Sequence, residues 1–175
     1  MSVSSAKMSV FVDEHFACVR IVGRANFTSS IDFKTLLNEL HQKGCEHFVL
    51  DLSQCMLMDS TFLGVLAGFG LKLYTVQNGA RCPGLELLNP NARITELLEN
   101  LGVLHLFSVG NGPLLGPAGT QTAVLAPPDA SREEITRACL EAHQTLMALN
   151  PGNISRFKDV AQFLAEDLKK LGAAK

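Results

Sequence analysis

The polar residues best placed for a chemical function are three consecutive ones, Asp59, Ser60 and Thr61. They lie between a short apolar run and a helix pattern with almost no charged residue. Packing a buried strand against a buried helix requires no carboxylate. At a helix start, however, free backbone N–H groups and the helix dipole favour negative charge. A surface hydroxyl at Ser60 can therefore carry a phosphate without disrupting the helix. The added charge and bulk would weaken the binding of any partner that docks there.

Each of these residues also has a purely structural interpretation. Ser60 is of a type preferred at helix N-caps. Asp59 is of a type that bonds its own turn backbone. Thr61 can simply fill the first helical turn. The pattern alone leaves a cap and a switch open for Ser60.

Other chemical groupings are weaker. His41, Cys45 and His47 are metal-ligand types, but the chain leaves a helix through Gly44 between them and no fourth ligand is evident. The sequence has no G-x-S-x-G elbow, no histidine placed near Ser60 by sequence and no phosphate-binding glycine loop. We therefore predict a protein that is not an enzyme and needs neither cofactor nor metal.

Hydrophobic periodicity and turn residues predict the order β-β-α-β-α-β-α-β for the first two thirds of the chain. Alternation after an opening hairpin indicates a mixed sheet with parallel strands joined by crossover helices. The predicted elements are strands over 8–12 and 16–22, a helix capped by Ser29, a strand over 48–52, a helix over about 60–76, a strand over 85–88, a helix capped by Asn89 and a strand over 104–109.

The composition changes after residue 109. Residues 110–128 contain four glycines and four prolines and no charged residue, which indicates a linker. Ser131 and Glu134 have the spacing of a capping box, and a second helix pattern begins near Asn153. The resulting helical hairpin is expected to pack against the sheet domain or to mediate dimerisation. The predicted organisation is a sheet domain at 1–109, a linker at 110–128 and a helical hairpin at 129–175.

Composition excludes several functional classes. The net charge of -2, a pI near 6.2 and the absence of tryptophan argue against nucleic acid as a partner. Asp59 interrupts the apolar run over 53–71, so we expect no membrane insertion. The five cysteines show no C-x-x-C pair and residues 1–10 do not resemble a secretory signal. A cytoplasmic protein with reduced thiols is expected.

The segment VLDLSQCMLMDSTFLGVLAGF resembles the signature of the STAS domain family, the anti-sigma factor antagonists. A strand ends in Asp-Leu, and Asp-Ser-Thr and then Leu-Gly follow before an apolar helix. The later segment LELLNPNARITELLENLGVLHLF is similar to that family's next strand, Asn-Pro turn and helix. The resemblance covers residues 8–109. It implies an α/β fold, a STAS-like mixed sheet with helices packed on it, to which this chain adds a C-terminal α-helical hairpin.

The resemblance also implies a function. In this family the hydroxyl after the turn aspartate, here Ser60, is phosphorylated by a partner kinase that is usually also the anti-sigma factor. Asp59, Thr61 and Phe62 then join Ser60 as expected partner-binding residues, although Phe62 stands where the family commonly has glycine. The expected role is partner switching in bacterial signal transduction and transcription regulation. Expected partners are a serine kinase or anti-sigma factor, a PP2C-type phosphatase and a second copy of the chain.

Two other functions remain open at this point. STAS domains also serve as unphosphorylated structural subunits of lipid ABC transporters or signalling assemblies, and Phe62 and the extra helices would suit a fixed partner. A small-ligand sensor with the C-terminal helices as its lid is the third hypothesis, for which the sequence offers no polar cluster.

Overall fold

The computed structural model describes residues 5–113, 123–124 and 129–174. Its central feature is a six-stranded mixed sheet in the order β7-β6-β3-β2-β1-β8. A separate two-stranded ribbon is formed by β4 and β5. The strands are β1 (Lys7–Asp13), β2 (Phe16–Ala25), β3 (His47–Met58), β4 (Thr75–Gln77), β5 (Ala80–Cys82), β6 (Leu85–Leu88), β7 (Ser108–Gly110) and β8 (Ala123–Val124).

The predicted fold class is confirmed. β1 pairs antiparallel with β2, whereas the pairs β2–β3, β3–β6 and β6–β7 are parallel. Helices pack on this sheet and a helical hairpin follows at the C-terminal end. The helices are α1 (Phe27–Gln42), α2 (Ser60–Leu73), α3 (Ala92–Asn100), α4 (Arg132–Leu149) and α5 (Ile154–Ala173).

Two predicted N-caps were wrong. α1 is capped by Asn26, whose side chain accepts from the Ser29 backbone N–H while the Ser29 hydroxyl accepts from the Asn26 N–H. Ser29 is therefore the third helical residue of a reciprocal capping box. α3 is capped by Asn91, because Asn89 adopts a left-handed φ of 54° and exchanges hydrogen bonds with the Gly112 backbone instead.

Strand β3 is longer than the predicted 48–52. It continues to Met58 because β2 stays paired with it through two register shifts, up to the pair Ala25 and Met58. Residue 59 therefore lies at the C-terminal end of this central strand, beside the start of α1. This extension positions the candidate site.

The α4–α5 hairpin packs against the sheet domain. α4 lies on α2 and α1, and α5 lies on α4. Leu146 of α4 is fully buried in the same core as α2, and Phe157 of α5 packs against it. The Ser131–Glu134 capping box of α4 is present as predicted. Most of the predicted linker lies outside the described residues.

No helix within the described ranges is both long and apolar enough to cross a bilayer.

Candidate switch site at the start of helix α2

Asp59 fixes the junction between β3 and two helices. Its backbone N–H donates to the Ala25 carbonyl oxygen at 3.0 Å. One carboxylate oxygen accepts from the Phe62 N–H at 2.8 Å, which caps α2, and the other accepts from the Phe27 N–H at 2.7 Å, at the first residue of α1. A carboxylate that accepts from backbone N–H groups at two helix starts forms charge-assisted hydrogen bonds. Asp59, not Ser60, is therefore the N-cap of α2.

Ser60 is the first helical residue and is partly buried beneath α4. Its hydroxyl oxygen lies 2.9 Å from Nε2 of His143, a residue 83 positions later in the chain. The His143 side chain is buried, 6% exposed, and its ring centroid lies 5.1 Å from that of Phe157 on α5. The candidate switch hydroxyl is thus a contact between the sheet domain and the hairpin.

The hydrogen-bond partners assign the tautomer of the His143 ring. Its Nδ1 lies 2.6 Å from the backbone oxygen of Cys139, which can only accept. When the ring is neutral, Nδ1 therefore carries the proton and Nε2 is left as an acceptor. In that tautomer the Ser60 hydroxyl donates its hydrogen to Nε2.

Thr61 and Phe62, expected to contact a partner, are buried, with 4% and 0% of their surface exposed. The Phe62 ring stacks on Phe33 of α1 with a centroid separation of 4.5 Å. A large ring at this position fills the space between α1 and α2, so it serves the core and presents no outward contact. Of the expected partner-binding residues, Asp59 and Ser60 alone keep exposed surface.

Cys139 lies one turn before His143 on the same face of α4 and contacts the same end of α2. Burial raises the pKa of its thiol, and the negative charge of Asp59 raises it further, while a hydrogen bond with Thr61 lowers it. The net shift is upward, so the thiol stays protonated at neutral pH. Its reactivity consequently reports whether α4 covers this site.

Gly64 lets the two helices approach at backbone distance. A Cβ atom built on Gly64 would lie 2.5 Å from the carbonyl oxygen of Ala142. No side chain fits there unless the α4 backbone moves. One turn further along α2, a Cβ on Gly68 would be 3.4 Å from the Thr145 Cγ2, an ordinary contact.

The far end of α4 has a second anchor. The buried Asn153 side chain donates to the backbone oxygens of Leu101 and Leu146, both at 2.9 Å. Asn150 also donates to Leu101 at 3.2 Å. The turn between α4 and α5 is therefore hydrogen-bonded to the C-terminal end of α3.

Sequence reasoning placed Asp59 and Ser60 correctly at a strand-to-helix junction but missed His143. The available signal was a histidine between Ala142 and Leu146 on the apolar stripe of α4. A polar side chain on a buried stripe requires a hydrogen-bond partner. Nothing in the linear sequence says that this partner is Ser60.

Comparison with known proteins identifies the first two thirds of the chain. The family model for the STAS domain matches residues 7–113. No curated protein sequence matches the chain.

Solved structures described as anti-sigma factor antagonists are among those similar to this chain. One from Mycobacterium paratuberculosis has 16% identity and a TM-score of 0.50, covering 61% of this chain and 86% of its own. SpoIIAA in its unphosphorylated form has 14% identity and a TM-score of 0.46, covering 62% of this chain and 89% of its own. The Bacillus cell fate determinant SpoIIAA in its phosphorylated form has 15% identity and a TM-score of 0.46, with 58% and 89% covered.

Proposed function

The chain belongs to the STAS domain family, and we propose that it is a non-enzymatic, cytoplasmic, protein-binding module switched by phosphorylation of Ser60. Its partner would be a serine kinase or anti-sigma factor, with a PP2C-type phosphatase to restore the hydroxyl. The position of Ser60 at the start of α2 supports this, because a helix N-terminus favours an added phosphate.

The observation that carries the proposal is the hydrogen bond from Ser60 to His143. Phosphorylation converts the hydroxyl into an ester oxygen, which has no hydrogen to donate. The phosphate also needs space beside an oxygen that now lies 2.9 Å from a buried ring. We infer that a phosphate on Ser60 and α4 in its present position exclude each other.

The α4–α5 hairpin would accordingly act as an internal cover for the switch. While α4 is docked, Ser60 is only partly exposed and its hydroxyl is paired with His143, which would hinder a kinase. When α4 leaves, the hydroxyl, Asp59 and the exposed side of the α2 start become accessible together. A partner that binds this end of α2 would compete with α4 for the same surface, so phosphorylation, partner binding and hairpin docking are linked.

A structural subunit is the second candidate function. The Ser60 hydroxyl is already paired with a buried histidine, and Leu146 of α4 is part of the common core. Both features would suit a permanently docked hairpin that fixes the shape of a scaffold, with Ser60 never modified.

Phosphate mapping separates the two functions. The full chain would be incubated with ATP and the serine kinase encoded nearest its gene, and phosphate would be located by mass spectrometry. The proposal predicts modification of Ser60, no modification of Ser60→Ala, and faster modification of Gly64→Ala, in which α4 is displaced. The absence of phosphate on Ser60 in both the unaltered chain and Gly64→Ala would favour the structural subunit.

A further inference from the structure

A groove with a volume of about 540 Å³ lies between α1, α2 and α4. Its walls are largely apolar or small, and include Val65, Gly68 and Phe69 of α2 together with Ala138 and Ala148 of α4. Small-molecule sites typically enclose roughly 300 to 1,000 Å³ and are lined mainly by apolar groups with a few placed polar ones. The groove has the size and lining of such a site.

Two ammonium groups and one carboxylate line this groove. Lys34 of α1 forms an ion pair with Glu141 of α4, with Nζ and Oε2 2.8 Å apart. Lys72 of α2 donates to the neutral Asn38 side chain at 3.1 Å and lies 6.0 Å from the centroid of the Phe69 ring. Within the described ranges, no carboxylate oxygen lies within ion-pair distance of Lys72. The lining thus carries a net positive charge, centred on an exposed lysine.

The apolar floor of the groove runs along α2 towards this lysine. From Gly64 to Lys72 the helix rises about 12 Å, at 1.5 Å per residue. Gly68 lies midway and has no side chain, so it keeps the floor open where a larger residue would partly fill it. An unbranched apolar chain lying along this floor would place a terminal anion beside the Lys72 ammonium group.

We propose that this groove binds a small amphipathic monoanion, a medium-chain carboxylate, with its head group on Lys72 and its chain along Gly68. The apolar walls favour the chain through removal of its surface from water. The ammonium group favours the carboxylate through a charge-assisted hydrogen bond. A neutral hydroxyl head group can accept a hydrogen bond from the ammonium group but forms no ion pair, and a quaternary ammonium head group of the same chain length forms neither.

This ligand would touch α2 and α4 together. It would therefore bind only while the hairpin is docked, and would stabilise the docked state by mass action. The inference does not rest on phosphorylation of Ser60. Lys72 would be the polar group that a ligand sensor with a helical lid requires, and the sequence alone did not indicate this role.

Isothermal titration calorimetry of the full chain with decanoate, kept below its critical micelle concentration, tests the proposal. Decanol and decyltrimethylammonium serve as chain-matched neutral and cationic probes. Decanoate is expected to saturate one site and to bind about threefold to fivefold more tightly than either comparator, because an ion pair at an exposed lysine contributes modestly.

Variants locate the site. Lys72→Met removes the charge but keeps an apolar stem, and should weaken decanoate binding about threefold to fivefold. Ala148→Phe places a ring in the groove from an exposed position and should abolish binding. Lys170→Met, an exposed lysine on α5 that does not line the groove, should bind as the unaltered chain does.

Three results would overturn the proposal: no saturable decanoate binding, equal affinity for decanol, or unchanged affinity in Lys72→Met. Circular dichroism verifies that each variant is folded. If Ala148→Phe does not fold, the ratio between Lys72→Met and Lys170→Met decides alone.

Discussion

The two halves of the α2–α4 interface differ in how closely the helices approach. At the Ser60 end the backbone of Ala142 lies directly on Gly64, and a buried histidine accepts the serine hydrogen. The groove begins beside this contact, since Gly64 and Ala142 also line it, and it extends to Lys72. Close packing places the Ser60 oxygen 2.9 Å from a buried ring, whereas the groove leaves a volume of about 540 Å³ beside the same two helices. One helix pair therefore has a partly covered serine and an open groove along its length.

Substitution of the two glycines should break this contrast most strongly. Gly64→Ala forces a methyl group against the α4 backbone. Overpacking of this kind costs up to about 3 kcal/mol, so after a gain of about 1 kcal/mol in helix propensity the free energy of unfolding should fall by about 2 kcal/mol. Gly68→Ala is the matched control and should be neutral or stabilising by up to about 1 kcal/mol. Urea unfolding measures both, and equal effects would contradict the close approach at Gly64.

The turn anchor should give the next largest effect. Asn153→Ala removes two hydrogen bonds, although Asn150 still donates to the backbone oxygens of both Leu101 and Leu146, and it should cost about 1.5 kcal/mol. Ser155→Ala, at an exposed position two residues later, should change the unfolding free energy by less than about 0.5 kcal/mol. Urea unfolding again provides the measurement. A loss below 0.5 kcal/mol in Asn153→Ala would mean that the hairpin does not depend on this end.

The Ser60–His143 hydrogen bond should have the smallest effect on stability. Ser60→Ala leaves a buried ring nitrogen unpaired and should cost about 1 kcal/mol. His143→Phe keeps the shape of the ring and removes the acceptor. In a double-mutant cycle of urea unfolding, we expect a coupling energy of about 1 kcal/mol between the two positions. Zero coupling would remove the contact on which the covered switch depends.

The sequence predicted those features that local signals specify. The Ser131–Glu134 capping box and the start of a second helix near Asn153 were read directly from residue types, and both are present. The hairpin of β1 and β2 followed from alternation and a polar turn. These elements are determined within a few residues, so a single sequence suffices.

Competing local signals caused the boundary errors. Asn26 and Ser29 are both good cap residues, and in a reciprocal box either can appear to be the first. The β4–β5 ribbon was missed because each strand has three residues, nearly all exposed, and therefore shows no buried alternation.

The site itself depends on a long-range contact. Ser60 and His143 are brought together by the docking of α4, which is set by Gly64, by Leu146 and by the anchor at Asn153. Each of these residues, considered in the sequence alone, would be interpreted as an ordinary packing or turn residue. Only the packed structure shows that together they place a histidine on the candidate switch.

The most direct test of the central claim, that a charge on Ser60 and a docked α4 exclude each other, is the alkylation rate of Cys139. Mass spectrometry after iodoacetamide treatment gives this rate relative to Cys82, a partly exposed thiol on the separate β4–β5 ribbon. The account predicts that Ser60→Glu raises the ratio about tenfold, because undocking exposes the thiol and returns its raised pKa towards the ordinary value. Ser108→Glu, the same change at an exposed hydroxyl on β7, should leave the ratio unchanged. An unchanged ratio in Ser60→Glu would contradict the account.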